Sequence, residues 1–201
     1  MTKRLMKRGD VPLAGHEVLL CVTGGIAAYK SADLTSKLVQ AGAGVSVAMT
    51  EAAQRFVAPL TFQTLSRRQV FTSMWQGADD YRSQHISLTD FADLMIVAPA
   101  TADVLAKMAC GIADDLVSTL ALSAWGSCPI MVAPAMNARM WGAPATKANV
   151  ARLRQWGVHV VSPGEGWLAC GAIGAGRMAE PEEILDAART LLRRRASKRR
   201  P

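Results

Sequence analysis

The sequence predicts an α/β fold: a single doubly wound domain built on a parallel sheet. Two observations carry this. Short, continuous apolar runs alternate along the chain with longer stretches of helical periodicity, and unbroken apolar strands separated by helices signal a parallel sheet covered on both faces. Half of the 201 residues are hydrophobic, enough for one domain with a sizeable core. Right-handed crossovers then give a Rossmann-like, flavodoxin-like architecture, in which ligands bind at the carboxyl ends of the strands.

The elements follow in order. Glu17–Thr23 (EVLLCVT) is the first apolar run; it ends in Gly24-Gly25, and Ile26–Ala41 continues with helical spacing. Val45–Met49 is the second run, followed by a helical Glu51–Phe56. Asp93–Ala98 (DLMIVA) is the third; it stops at Pro99, and Thr101–Ala124 reads as one or two helices. Pro129–Ala133 (PIMVA) again stops at a proline, Asn137–Trp156 is mostly helical, Val158–Val161 is a fifth strand, and Glu180–Arg195 is a closing helix. The pattern holds no internal repeat, second core or linker. The expected organisation is a basic N-terminal tail over 1–14, one domain over 15–192 and a basic C-terminal tail over 193–201.

The formal net charge of +7 is unevenly spread. Lys3, Arg4, Lys7 and Arg8 fall in the first tail, and Arg193, Arg194, Arg195, Lys198, Arg199 and Arg200 in the last. Residues 10–192 therefore hold 13 basic and 16 acidic residues, a net of −3, which argues against a basic body face for nucleic acid. The tails are expected to be solvated ends. Cys21, Cys110, Cys128 and Cys170 show no CxxC pairing and no histidine at zinc spacing, as for reduced thiols in a cytoplasmic protein. No apolar stretch of signal-peptide length follows the basic N-terminus. The longest uncharged stretch, Leu116–Ala138, is broken by Gly126, Pro129 and Pro134, so no membrane span is expected.

Four loops at the ends of the apolar runs suggest one binding site. Thr23-Gly24-Gly25-Ile26 lets backbone approach an anion at a helix N-terminus. It is neither GxGxxG, since Ala27 and Ala28 follow, nor a P-loop, and a tight turn without a ligand stays open for this segment alone. Thr50, beside Glu51, could donate to a phosphate or simply cap the next helix. Pro99-Ala100-Thr101-Ala102-Asp103 offers small residues and a hydroxyl, leaving room for a flat ring. Pro134-Ala135-Met136-Asn137 is the fourth loop. Asp114-Asp115 reads as a helix cap.

With these loops in place, four segments resemble the homo-oligomeric flavin-containing cysteine decarboxylases, above all those acting on 4′-phosphopantothenoylcysteine. The segments are Val22–Lys30 (VTGGIAAYK), His85–Leu88 (HISL), Ala133–Trp141 (APAMNARMW) and Ala169–Pro181 (ACGAIGAGRMAEP). The third fits PxMNxxMW through Pro134, Met136, Asn137, Met140 and Trp141. The similarity runs over about residues 15 to 190.

The resemblance implies non-covalent FMN, held by Gly24, Gly25, Ile26, Ala27, Thr50, Glu51, Pro99, Thr101, Ala102, Asp103, Val104 and Ala135. It implies that FMN oxidises the cysteine-derived CH2–SH to a thioaldehyde, whose C=S accepts the electron pair as carbon dioxide leaves, and that the resulting enethiolate is then reduced. His85 is implied as the acid/base of oxidation and Asn137 as the carboxylate's hydrogen-bond donor. Cys170, in a glycine-rich segment suited to a mobile flap, is implied as the proton donor of the reduction. Met140, Trp167, Leu168 and Ala169 would line the substrate. His16 and His159 read as surface or strand residues. The family further implies a homotrimer, or a higher assembly of trimers, with the site completed across an interface.

Many bacterial relatives continue into a domain that joins cysteine to phosphopantothenate, whereas this sequence ends at Pro201. That raises two expectations: a separate ligase, or another substrate such as the C-terminal cysteine of a ribosomal peptide. Peptide-acting relatives release the enethiol and need no reducing cysteine, so the intact ACGAIGAGRM segment points to coenzyme A biosynthesis. A non-catalytic regulatory flavoprotein would tolerate loss of His85, Asn137 and Cys170, and all three are present. A flavin prenyltransferase is disfavoured by PxMNxxMW.

Overall fold

A computed structural model of the chain describes residues 12–75, 84–167, 169, 171 and 173–198. Six parallel strands form one sheet: β1 (Glu17–Val22), β2 (Gly44–Met49), β3 (Val70–Phe71), β4 (Leu94–Ala100), β5 (Ile130–Pro134) and β6 (His159–Val160), in the order β3-β2-β1-β4-β5-β6. This is the Rossmann order, and the chain reverses direction across the sheet between β1 and β4, where ligand crevices form. The expected doubly wound sheet is borne out.

The apolar runs are continuous because both faces are covered. Val18, Leu20 and Val22 of β1 join one core cluster, with α1 (Ala28–Gln40), α3 (Pro59–Ser66) and α9 (Pro181–Lys198). Leu19 and Cys21 join the other, with α5 (Ala102–Cys110), α6 (Leu116–Ser123) and α8 (Pro144–Gln155). Period-two alternation thus sorts one strand onto two dry faces. Burial pushes the Cys21 thiol upward, with Cys128 and Asp115 adding to the effect, so Cys21 is packing rather than a nucleophile.

Several boundaries are settled or shifted, each for a local reason. Thr101–Ala124 is two helices because Gly111 closes α5 in the left-handed conformation at φ 71°. Asn137–Trp156 splits into α7 (Ala138–Gly142) and α8 because Ala143 precedes Pro144 and is extended. The helix after Thr50 is shorter than expected: α2 spans Glu51–Gln54. Helix α3 and the two-residue β3 were not anticipated. Nor was α4 (Gln84–Phe91), nor a separate antiparallel hairpin, β7 (Gly164–Trp167) and β8 (Ile173–Arg177). Leu13, placed in the N-terminal tail by sequence, is 1% exposed in the core and donates its N–H to Ala41. Helix α9 continues to Lys198, six residues into the expected C-terminal tail; arginine and lysine are good helix formers and suit a helix C-terminus.

Candidate functional site

The loops at the carboxyl ends of β1, β2, β4 and β5 wall two adjoining cavities of about 590 and 450 Å3, which share Gly24, Thr101 and Asp103. The larger is bounded by Gly25, Ile26 and Ala27 at the start of α1, by Ala102 on α5, by Ala135 and Asn137 after β5, and by Met140 on α7. Trp167 and Ala169, from the hairpin, close its far side. Thr50, Glu51 and Val104 line the smaller one. Most sequence-predicted residues therefore converge on one place.

The loop after β1 is shaped for backbone approach. A Cβ on Gly24 would overlap the Cβ of Ala52 and come within 2.9 Å of its carbonyl carbon, so only glycine lets this loop pass α2. At Gly25 the nearest neighbour would be the Thr101 methyl at 3.8 Å, leaving open space on the cavity side. The backbone N–H groups of Gly24, Gly25, Ile26 and Ala27 have no protein acceptor among the described residues. Unspent amides beside a helix N-terminus are suited to an anionic group.

Three side chains do double duty. Thr50 Oγ1 accepts from Ala53 N–H (3.2 Å), capping α2; Thr101 Oγ1 accepts from Val104 N–H (3.2 Å), capping α5. Asn137 Oδ1 accepts from Met140 N–H (2.8 Å), capping α7. Each cap uses the acceptor and leaves a donor, the hydroxyl proton or the amide NH2, without a protein partner among the described residues. The cap and ligand readings of Thr50 and Asn137 are thus compatible.

The hairpin is seated on the Asn137 loop. Met136 N–H donates to the Gly176 carbonyl at 3.0 Å. Gly176 has φ 129° and approaches so closely that a Cβ would overlap the Met136 carbonyl oxygen, which is why a side chain is excluded there. The segment read from sequence as a flap therefore includes an ordered strand.

Pro99, expected to touch the cofactor, lies buried in β4 beside these cavities, and its carbonyl accepts from Thr23 Oγ1 at 2.6 Å. Leu168 and Cys170 lie outside the described residues. His85 falls in the first turn of α4, where the backbone alone is described, so its side chain lies outside the described residues.

Sequence reasoning missed the charged wall. Lys30, 6% exposed, donates from Nζ to the Met178 carbonyl (3.2 Å) and to Glu180 (2.9 Å), and Arg177 also binds Glu180 at 2.9 Å. In the smaller cavity, Lys107 meets Asp115 (2.8 Å), Asp114 (2.9 Å) and Asp103 (3.4 Å). Hydrogen bonds to Asp115 and then Asp114 hold this ammonium above the ordinary lysine range. Lys30 could have been suspected from its place one turn beyond Gly25-Ile26. Lys107 shows its role only once Asp114-Asp115 folds back beside α5.

The donor set fits a flat, anionic ligand: unspent amides and hydroxyls at the strand ends, with small or apolar walls of Ala102, Ala135 and Met140 beside them. Cavities of this size suit a cofactor-sized molecule. Residues 7–193 match the model of the family described as Flavoprotein. The coenzyme A biosynthesis bifunctional protein CoaBC of Bacillus subtilis is 54% identical over 173 residues, 86% of this chain and 42% of that protein. Its Escherichia coli counterpart is 47% identical over 176 residues, 88% of this chain and 43% of that protein. This chain thus spans less than half the length of these relatives. Among solved structures, a mutant PPC decarboxylase complexed with pantothenoylaminoethenethiol superposes with a TM-score of 0.79 at 30% identity, covering 87% of this chain and 97% of that one. The FMN-dependent cysteine decarboxylase SpaF gives 0.78 at 29% identity, covering 91% and 98%.

Proposed function

This chain belongs to the flavoprotein family, and on that premise we propose that it is an FMN-dependent decarboxylase of 4′-phosphopantothenoylcysteine, yielding 4′-phosphopantetheine for coenzyme A biosynthesis. The observation that carries the reading is Asn137, whose oxygen is spent on capping α7 while its NH2 remains for a carboxylate at the cleft. Identities of 42–54% to CoaBC relatives support the substrate.

FMN would be held by Gly24, Gly25, Ile26, Ala27, Thr50, Glu51, Thr101, Ala102, Asp103, Val104 and Ala135. When bound, it supplies the oxidation of the substrate CH2–SH to a thioaldehyde and the later return of reducing equivalents. The chain's own residues position the substrate and move protons. Asn137 NH2 donates to the carboxylate without adding a negative charge that would resist its loss. Met140 and Trp167, with Leu168 and Ala169, cover the reacting carbon and keep water from the departing carboxylate. His85 acts as acid/base for the thiol side, since imidazole titrates near neutrality. Cys170 delivers the proton to the enethiol carbon in the final step.

The same reading makes the active protein a cytoplasmic homotrimer, or a higher assembly of trimers, with residues 15–192 as its catalytic domain. The site would be completed across a subunit interface, since its residues come from widely separated loops. The cleft rim exposes Ile26, Tyr29, Met140, Trp167 (68%) and Ile173 (78%), an apolar surface of the kind a subunit contact covers.

The test is anaerobic incubation of the FMN-loaded protein with 4′-phosphopantothenoylcysteine and, separately, with a cysteine-terminated peptide. Carbon dioxide and a saturated thiol from the first alone are expected. Turnover of the peptide alone would transfer the assignment to peptide maturation, and turnover of neither would overturn it.

A further inference from the structure

At the switch point, β4 leaves its ladder. Pairing with β1 ends at Cys21 and Val97, and pairing with β5 breaks between Val97 and Ala100. Side-chain parity shifts with it. Leu94, Ile96 and Ala98 face one core cluster, whereas Ala100, which regular alternation would place with them, packs in the other. Such a bulge re-aims the residues that follow, here Thr101, Ala102 and Asp103, the wall common to both cavities.

The bulge leaves two buried carbonyls outside the ladder, and buried carbonyls require partners. Both partners are side-chain hydroxyls from the segment that carries the glycine loop. Ser31 Oγ, fully buried on α1, donates to Ala98 O at 2.6 Å. Thr23 Oγ1, 2% exposed, donates to Pro99 O at 2.6 Å and accepts from Thr101 N–H at 3.3 Å. Thr23 therefore ties both flanks of the switch point through one oxygen, and valine could fill its volume but make neither bond.

We infer that Thr23 and Ser31 are positioning residues for the flavin site: their hydroxyls hold the bulged end of β4 in the shape that sets Thr101–Asp103 against the Gly24-Gly25 loop. This rests on the FMN reading and gives a role to Ser31 and to the hydroxyl of Thr23, a residue the sequence read only as the start of the glycine loop.

The test is FMN binding to the apoprotein, measured by fluorescence quenching beside thermal unfolding of the same apoprotein. Thr23→Val, which loses both hydrogen bonds, should raise the FMN dissociation constant about tenfold or more. The spectrum of bound flavin should move toward that of free FMN. Thr23→Ser, which keeps the hydroxyl, should restore affinity to within about twofold, and Ser31→Ala should weaken it by a smaller factor than Thr23→Val. A purely structural role predicts a lower melting temperature with unchanged FMN affinity in the folded protein, and that result overturns the proposal. So does a Thr23→Ser protein as weak as Thr23→Val. If Thr23→Val does not fold, Ser31→Ala decides on the same two readouts. A wild-type chain without affinity for FMN would instead overturn the cofactor assignment itself.

Discussion

The two ends of the same strands are built to opposite rules. At the amino ends, charged groups consume one another. Glu17 takes both guanidinium nitrogens of Arg68, at 2.6 and 3.1 Å, and Asp93 accepts the Glu17 N–H at 3.0 Å. His16 stands 3.6 Å from Asp93, and the His16 carbonyl accepts from Gly44 N–H. At the carboxyl ends, the amides from Gly24 to Ala27 and one donor each on Thr50, Thr101 and Asn137 are left without protein partners among the described residues. A rim that satisfies itself braces the sheet; a rim with donors in hand binds something else. That contrast separates bracing from function without reference to a motif.

The sharpest way to break it is Asn137→Asp. Aspartate caps a helix as well as asparagine does, so α7 and FMN binding should survive. The donor is lost and a negative charge would face the substrate carboxylate, so kcat should fall about 10²–10³-fold, the scale for removing one oriented donor. Steady-state kinetics, FMN content and melting temperature would be read together. Near-normal turnover would mean that the spare NH2 is not the carboxylate donor.

Next in size, Gly24→Ala drives a Cβ into Ala52 backbone. Helix α2 must yield, carrying Thr50 with it. Overpacking of this kind costs about 1–3 kcal/mol, and the FMN dissociation constant should rise as well. Unchanged FMN affinity would show that the glycine serves packing alone.

These outcomes also bear on what could be read from sequence. The central strands were legible because burial on both faces leaves unbroken apolar runs, as in β1 and β4. The four loops were legible because glycines, hydroxyls and prolines stop those runs abruptly. Strand β3 was not, since Val70-Phe71 is too short to show a period. Hairpin β7–β8 was hidden by Gly164, Gly166, Gly174 and Gly176, which carry little strand propensity; at Gly176 the glycine serves close approach to the Met136 carbonyl. The burial of Pro99 could not be read, because sequence gives no sign of the register break in β4 between Val97 and Ala100. Lys30 and Arg177 meet only through Glu180, about 150 residues from Lys30 in the chain, a distance no local pattern spans.

Gly44→Ala is the mirror experiment at the bracing rim. The new Cβ would also collide, but with the ends of the flexible Glu17 and Arg68 side chains rather than with backbone. Those chains can swing away, so the expected loss is that of a partly exposed ion pair, about 1 kcal/mol or less. FMN affinity and kcat of the folded protein should not change. A loss of FMN binding equal to that of Gly24→Ala would erase the distinction between the two rims.

The smallest effect tests the Lys107 cluster at the functional rim. Lys107 holds the Asp114 carboxyl below the usual carboxylate range, chiefly through the 2.9 Å contact to its ammonium. A carboxyl whose pKa is lower folded than unfolded stabilises fully above its unfolded value, about 3.9, and loses that contribution as pH falls through the folded value. Asp114→Asn should therefore lower the melting temperature slightly and by a constant amount from pH 5 upward, and the gap should close only below about pH 4. Lysine behaves in the opposite sense. The raised Lys107 keeps its contribution below the ordinary lysine value, near 10.4, and loses it only as pH climbs through the higher folded value, so the gap should persist through neutral and mildly alkaline pH. Added salt should shrink it, because Asp114 is exposed. Melting curves of both proteins across pH read all of this. A gap that closes between pH 6 and 7 would assign the effect to a different titrating group, and one that survives undiminished at pH 2.5 would show that Asp114 contributes through its helix-end geometry rather than its charge.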